Sequence, residues 1–190
     1  MNSTLRMGWI VVAVCVAGSL SAVSAKADPM TWSGSLYAGY AKMMEDGAPD
    51  GSLGFRGNMF AMVDPVIGIG AELGYSWLGS QDLGTFGELK QSVYHATANI
   101  RARGVTGGMR PYAIGGLGMY GLHASLGSAS DTETKFGFNL GGGIQHRFPD
   151  SSTSLGIEAR WHMVPNGVID SGGNESAMDM LTVTAGVDFN

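Results

Sequence analysis

A two-residue alternation of apolar and polar side chains recurs along this sequence from about residue 31 to its end. Within residues 67–77, every odd position is apolar, and the even positions hold only glycine, glutamate or serine. Side chains of a β-strand alternate between its two faces, so this pattern predicts strands with one apolar and one polar face. The predicted strands cover residues 31–42, 53–63, 66–78, 92–103, 111–125, 136–148, 154–163 and 178–189.

The first 27 residues have a different pattern, typical of a secretion signal. A short segment carrying Arg6 and no acid precedes an apolar run, and Ala25-Lys26-Ala27 fits an A-x-A cleavage site. We therefore expect a cleaved signal peptide over residues 1–27 and a barrel domain over residues 28–190. Cys15, the sole cysteine of the sequence, lies in the signal, so we expect neither disulfides nor thiolate metal sites afterwards.

The composition favours a membrane protein that crosses the bilayer with strands. The chain is 44% hydrophobic and only 14% charged, yet no apolar stretch after the signal is long enough for a membrane helix. Only helices and closed barrels span membranes. The sequence thus predicts an all-β fold, an eight-stranded antiparallel up-and-down transmembrane β-barrel. A soluble lipocalin-like barrel or a sandwich is the alternative, because their strands also alternate.

The predicted connections alternate in length. Those after the first, third, fifth and seventh strands are long and polar, covering residues 43–52, 79–91, 127–135 and 165–177, whereas the others are short. Outer-membrane barrels have long loops outside and tight turns in the periplasm. We therefore expect four long surface loops, with both termini on the periplasmic side.

The polar face of each strand predicts the contents of the lumen. Eight strands leave room only for side chains, so we expect a packed ion-pair network, with a narrow pore or small-molecule conduit as the alternative. The expected lumen residues are Arg56, Glu72, His95, Arg101, Arg103, Glu158, Arg160 and His162.

Aromatic residues near strand ends predict two interfacial girdles. The girdle residues are Trp32, Tyr75, Trp77, Tyr94, Tyr112, Phe148, Trp161 and Phe189. In the fifth strand neither parity is polar, and the facing of residues 113–119 stays unassigned. The apolar set changes parity at Gly115-Gly116, which indicates a bulge there or a flat stretch where neighbouring side chains cross over.

Several segments together resemble a known family. They are Arg110-Pro111-Tyr112-Ala113-Ile114-Gly115-Gly116-Leu117-Gly118, residues 136–144 followed by Arg147-Phe148, residues 155–161 and the terminal Gly186-Val187-Asp188-Phe189. In this order they resemble the small eight-stranded outer-membrane β-barrels of Gram-negative bacteria, of the OmpA transmembrane-domain type.

The resemblance implies a location in the cell outer membrane, with lipid and lipopolysaccharide as neighbours. It also implies recognition by the barrel-assembly machinery through Thr184, Gly186 and Phe189, although Asn190 occupies the final place. The implied role is structural, in envelope integrity, or surface display of an adhesion type, with external ligands bound by the loops. We expect no enzymatic activity and no cofactor.

His123 and Ser125 raise an enzymatic alternative. Lipid A deacylases are also eight-stranded barrels and resemble this stretch in having a His-x-Ser on one strand. A nucleophilic serine needs a base and a third group that orients the base. The asparagine that follows the serine in their motif is Leu126 here, and the start of the next strand carries no carboxylate, which leaves Glu133 in the loop as the candidate. We therefore interpret the pair as rim residues that contact lipid head groups.

The charge balance bears on partners. The 11 basic and 16 acidic residues become 9 and 16 once Arg6 and Lys26 leave with the signal, a net charge of −7. This balance argues against nucleic-acid binding. Acidic residues concentrate in the predicted outer loops, where they solvate the exterior or, alternatively, bind calcium or magnesium.

Overall fold

The computed structural model describes residues 31–44, 51–82, 84–104, 108–127, 129–169 and 175–189, and the predicted signal peptide lies outside these ranges. Eight antiparallel strands form a closed barrel, in which each strand pairs with the next and β1 pairs with β8. This confirms the predicted fold class. The strands are β1 (Thr31–Met43), β2 (Ser52–Met62), β3 (Ile67–Asp82), β4 (Glu88–Arg103), β5 (Met109–Leu126), β6 (Ala129–Arg147), β7 (Thr153–Ile169) and β8 (Glu175–Phe189), with a 3-10 turn at Gly84–Phe86.

The two faces of the barrel wall have opposite chemistry. Leu36, Leu73 and Ile157 point outward and are 61–64% exposed, whereas Glu72 and Arg160 point inward and are at most 1% exposed. A soluble barrel would bury its aliphatic side chains inside. The observed arrangement is that of a membrane barrel, with apolar groups toward lipid and polar groups in the lumen. Within the described residues, no helix has the length and apolar character needed to cross a membrane.

The prediction of long outer loops is wrong for three of the four connections. β3 continues to Asp82, β7 continues to Ile169, and β5 and β6 are joined across residues 127–128. The polar residues assigned to loops instead remain paired across strands, as in Ser80 with Lys90 and Ala124 with Asp131. Outside the bilayer a strand needs no apolar face, so its alternation disappears from the sequence while its backbone pairing continues.

The outer ends of β3 to β6 project as one sheet. Pairing of β2 with β3 stops at Gly54 and Ser76, and pairing of β6 with β7 stops at Phe138 and Met163. Beyond these points, the described register pairs residues 77–82 of β3 only with β4 and residues 129–136 of β6 only with β5. We call residues 77–82, 88–93, 121–126 and 129–136 the outer sheet. The outer ends of β7 and β8 form a separate hairpin.

Of the two alternatives for β5, the bulge is wrong. The register of β5 with both neighbours runs unbroken through Gly115 and Gly116, and even positions face inward along the whole strand. The pattern is ambiguous in the sequence because Tyr112 and Ile114 are inward-facing yet apolar, at 7% and 2% exposed. The register shifts lie instead in β3, after Trp77, and in β7, after Val164.

Candidate functional site: the lumen and the outer end

Two arginines and two glutamates form a layer across the middle of the lumen. Arg160 on β7 contacts the Oε1 atom of Glu72 at 2.6 Å and that of Glu158 at 2.7 Å. Arg56 on β2 reaches the same two carboxylates, at 3.5 Å from Glu72 and 2.6 Å from Glu158. None of these side chains is more than 3% exposed. Each buried charge therefore has partners of opposite sign, as its desolvation requires. We call these four residues the charged layer.

Histidines lie against the outer side of this layer. The Nε2 atom of His95 is 3.2 Å from Glu72, and its ring lies 5.2 Å from that of His162. The Nδ1 atom of His162 is 3.1 Å from the Tyr120 hydroxyl, and its Nε2 atom is 3.3 Å from Thr182. Both ring nitrogens of His162 have hydrogen-bonding partners, whereas His95 has Glu72 at Nε2 and a buried Nδ1 with no partner among the described residues. These contacts support a structural role for both histidines.

A second group of polar contacts lies toward the periplasm. Asp188 accepts hydrogen bonds from the Tyr37 hydroxyl at 2.7 Å and from Arg101 at 3.4 Å. The Arg101 guanidinium also lies 4.3 Å from the centre of the Phe60 ring. The Tyr112 hydroxyl donates to Glu158 at 2.9 Å and so joins this group to the charged layer.

Tyr112 is thus a correction to the predicted girdle. It faces the lumen and is 7% exposed. Its position near a strand end suggested the membrane interface, but position along a strand does not reveal which face a side chain occupies. The other predicted girdle residues occupy outward-facing positions, where Trp77 makes edge-to-face contacts with Tyr75 and Phe55 at 4.9 and 5.1 Å.

Arg103 is placed at the margin of the predicted network. Its side chain is half-buried at the periplasmic end, where Nε donates to the Pro65 carbonyl at 3.2 Å. The structure therefore separates it from the charged layer. Of the predicted assembly residues, Thr184 faces the lumen and accepts a hydrogen bond from Arg56 at 2.8 Å, while Phe189 faces outward.

An apolar cluster occupies the outer part of the lumen, where the sequence analysis predicted only polar residues. We call it the apolar plug, and its buried members are Ala41, Met43, Leu78, Val93, Tyr120, Val164, Met178 and Met180. These residues occupy the same alternate positions as the inward-facing polar residues of their strands, so the alternation in the sequence already placed them in the lumen. The expectation that a membrane barrel has a polar lumen obscured this placement.

The plug and the charged layer leave little free space. A cavity of about 10 Å³ lies between His95, His162, Arg56 and Thr182. This is about the space that one water molecule needs. The described residues therefore fill the lumen at this level with side chains.

His123 and Ser125 lie on the outward face of the outer sheet. The Nδ1 atom of His123 is 2.8 Å from the Thr132 hydroxyl, its cross-strand neighbour. Glu133 pairs with Leu122 and so lies on the opposite face, where it contacts Lys135 at 2.8 Å. The structure does not bring Glu133 and His123 together. In the described part of the chain, no group of three or more histidine, cysteine or acidic residues is arranged to hold a metal ion.

Comparison with known proteins agrees with this architecture. The sequence matches the family described as outer membrane protein beta-barrel domain over residues 10–190. This chain belongs to that family. The resemblance to small eight-stranded outer-membrane barrels is thereby confirmed, and the protein is located in the cell outer membrane. No curated protein matches the sequence.

Several solved structures share the fold. Neisserial surface protein A aligns with a TM-score of 0.68 at 12% identity, covering 83% of this chain and 96% of its own. Ail, the attachment invasion locus protein of Yersinia pestis, aligns with a TM-score of 0.53 at 18% identity, covering 84% and 100%. The outer membrane enzyme PagL aligns at 0.50 and 11% identity, covering 82% and 98%. At these identities the likeness is one of fold.

Proposed function

We propose that this outer-membrane protein is a non-conducting, non-enzymatic barrel that displays its outer sheet to external partners. The observation that carries the proposal is the combination of a lumen filled by the apolar plug and the charged layer with strands that project beyond it. With the lumen filled, an external partner meets the barrel at its outer end.

The absence of conductance is directly testable. Insertion of the purified protein into planar bilayers should leave the membrane silent at high protein load, because ions would have to displace both the plug and the charged layer. A matched variant, M178A/M180A, removes two large plug side chains and reports whether the plug is the barrier. Steady single-channel currents from the unaltered protein would contradict the proposal in favour of a narrow pore.

The charge of the outer end points to the chemistry of the partner. The described acidic residues at this end include Asp82, Glu88, Asp131, Glu133 and Asp179, and the described lysines are Lys42, Lys90 and Lys135. The structure of Ail has been solved with the heparin analogue sucrose octasulfate, a polyanion. An acidic surface repels polyanions and attracts cationic groups. We therefore propose that this protein displays its outer end to a cationic partner, unlike the ligand seen with Ail.

The test uses the full barrel in zwitterionic lipid nanodiscs, with poly-lysine and heparin as immobilised probes. Binding to poly-lysine and not to heparin is expected. The D131N/E133Q variant should bind poly-lysine more weakly, whereas D64N/D150N, which removes two acids from periplasmic turns, should bind as the unaltered protein does. Equal losses in both variants would contradict an outer-end site.

The pair His123 and Ser125 supports an interfacial role rather than hydrolysis. Three points favour this proposal: the imidazole is engaged by Thr132, no serine contact to it is observed in the described residues, and Glu133 lies on the other face. Lipid A from cells that express the protein or its S125A variant should give identical mass spectra. A deacylated species present only with the unaltered protein would overturn the assignment.

A further inference from the structure

The periplasmic mouth of the lumen is lined by arginines from three consecutive strands. Arg103 on β4, Arg110 on β5 and Arg147 on β6 all occupy inward-facing positions of their strands. In the register, Arg103 lies opposite Tyr112, two residues from Arg110, and Arg110 lies opposite Gln145, two residues from Arg147. Diagonal neighbours of this kind are close enough for long side chains to meet.

These arginines lack carboxylate partners among the residues that the structure describes. Arg103 uses Nε on the Pro65 carbonyl, and Arg147 uses Nε on the Ser151 carbonyl at 3.4 Å. The Nε atom of Arg110 is buried without a hydrogen-bond partner. Of the nearby acids, Asp188 is held by Tyr37 and Arg101, and Asp64 accepts two backbone N–H groups of its own turn. Asp150 follows Arg147 in the next turn and lines the same cleft, but the described residues show no ion pair between them.

A cluster of this kind is only partly compensated. Arg103 lies within electrostatic reach of three like charges, Arg101, Arg110 and Arg147, and of one opposite charge, Asp188, which already accepts hydrogen bonds from Tyr37 and Arg101. In the charged layer, by contrast, every arginine contacts glutamate. A protein with net acidic character thus places three positive groups together at one open end, where an anion would relieve their mutual repulsion.

We propose that Arg103, Arg110 and Arg147 form an oxyanion-binding site at the periplasmic mouth, with a carboxylate or phosphate as its ligand. Guanidinium groups match both of these anions with two parallel hydrogen bonds. The three side chains belong to the lumen face of the wall, so the ligand enters from the periplasm and not from the surrounding bilayer. The two natural sources of such a group are free phosphate and the carboxylates of periplasmic peptides, including those of the cell wall.

The experiment is titration calorimetry on the intact barrel in a zwitterionic detergent, at low and constant ionic strength. The probes are inorganic phosphate, a dipeptide with a free α-carboxylate and the amide of that dipeptide. We expect the acid dipeptide or phosphate to bind and the amide not to bind. Binding of phosphate alone identifies the free anion as the source, and binding of the dipeptide identifies a peptide carboxylate.

Substitutions of the arginines test whether the anion binds at the periplasmic mouth. R110Q should weaken it about tenfold, the usual scale for loss of one charge-assisted contact. R110Q is the safest single variant because no intramolecular hydrogen bond of Arg110 is observed in the described residues, and R103Q/R110Q/R147Q should abolish binding. K42Q/K90Q/K135Q removes three positive charges at the outer end and should change affinity by less than about twofold, because it acts over more than a screening length.

Heat-modifiable gel migration shows that each variant is folded before it is titrated. If the triple variant does not fold, R110Q alone decides. The proposal is overturned if neither oxyanion binds the unaltered protein, if the amide binds as well as the acid, or if R110Q binds with unchanged affinity.

Discussion

The charged layer and the apolar plug are neighbouring levels of one lumen, built from inward-facing residues of the same strands, yet they are held together differently. The layer depends on partners, since Glu72 is placed between Arg56, Arg160 and His95. The plug depends on volume, since Met178 and Met180 are fully buried among other apolar side chains. A buried charge requires an opposite charge at short distance, whereas a buried methyl requires only filled space. The two levels should therefore tolerate different substitutions.

The largest effect is expected from Glu72→Gln, which keeps the shape of the side chain and removes its charge. Two arginines would then remain buried with one carboxylate between them. Loss of one partner from a buried ion pair costs about 3–5 kcal/mol, so the free energy of unfolding should fall by that amount. Urea unfolding in lipid vesicles, followed by tryptophan fluorescence, measures the change.

Glu88→Gln is the matched control, because Glu88 pairs with Lys90 at 3.3 Å on the exposed outer sheet. It should unfold as the unaltered protein does. Equal midpoints for Glu72→Gln and the unaltered protein would mean that the charged layer is not held by its charges.

The apolar plug should be sensitive to a loss of side-chain volume and should tolerate substitutions that conserve volume. Met178→Ala removes buried volume and should destabilise the barrel by about 2–5 kcal/mol, the range for such truncations. Met180→Leu roughly conserves volume and should cost less than about 1.5 kcal/mol. If Met180→Leu were as damaging as Met178→Ala, the plug would depend on specific contacts in the way that the charged layer does.

A smaller effect is expected from Tyr112→Phe, which deletes the hydroxyl that donates to Glu158. Hydrogen bonds to charged groups contribute about 1.5–3 kcal/mol, and stability should fall by that amount. Tyr40→Phe serves as the control, because Tyr40 points outward and is 49% exposed. Identical losses in the two variants would remove Tyr112 from the network.

The smallest effect is expected from His123→Ala on the outer sheet. Its contact with Thr132 lies on the exposed face, away from both levels of the lumen. Surface substitutions of this kind usually change stability by less than about 0.5 kcal/mol. The same unfolding assay provides the measurement, and a loss comparable to that of Tyr112→Phe would show that the outer sheet supports the barrel.

Much of the fold could be predicted from local pattern. Parity placed Arg56, Glu72, His95, Glu158 and Arg160 on the inner face, and the structure finds all of them buried there. The strand predictions failed where inward-facing and outward-facing positions do not differ in polarity. β5 has apolar side chains on both faces, and the outer ends of β3 and β6 are polar on both, so a strand there resembles a loop. The outer end of β7 resembles a loop because its sequence contains Pro165-Asn166-Gly167.

The site was less predictable than the fold. That Arg160 contacts Glu72 depends on two strands that are distant in the sequence, and no spacing between residues 72 and 160 encodes the pairing. The height at which inward side chains from opposite walls meet is determined by strand tilt and stagger. Three adjacent arginine positions at the periplasmic mouth likewise become one cluster only through the β4–β5 and β5–β6 registers.

Period-two patterning was sufficient to establish eight strands, a membrane barrel and the identity of its inner face, because alternation is a property of each strand alone. Barrel closure decided which charges pair, where the lumen turns apolar and that Tyr112 belongs inside. These features arise from contacts between strands that are remote in the chain, and only the stagger of the closed sheet sets their geometry.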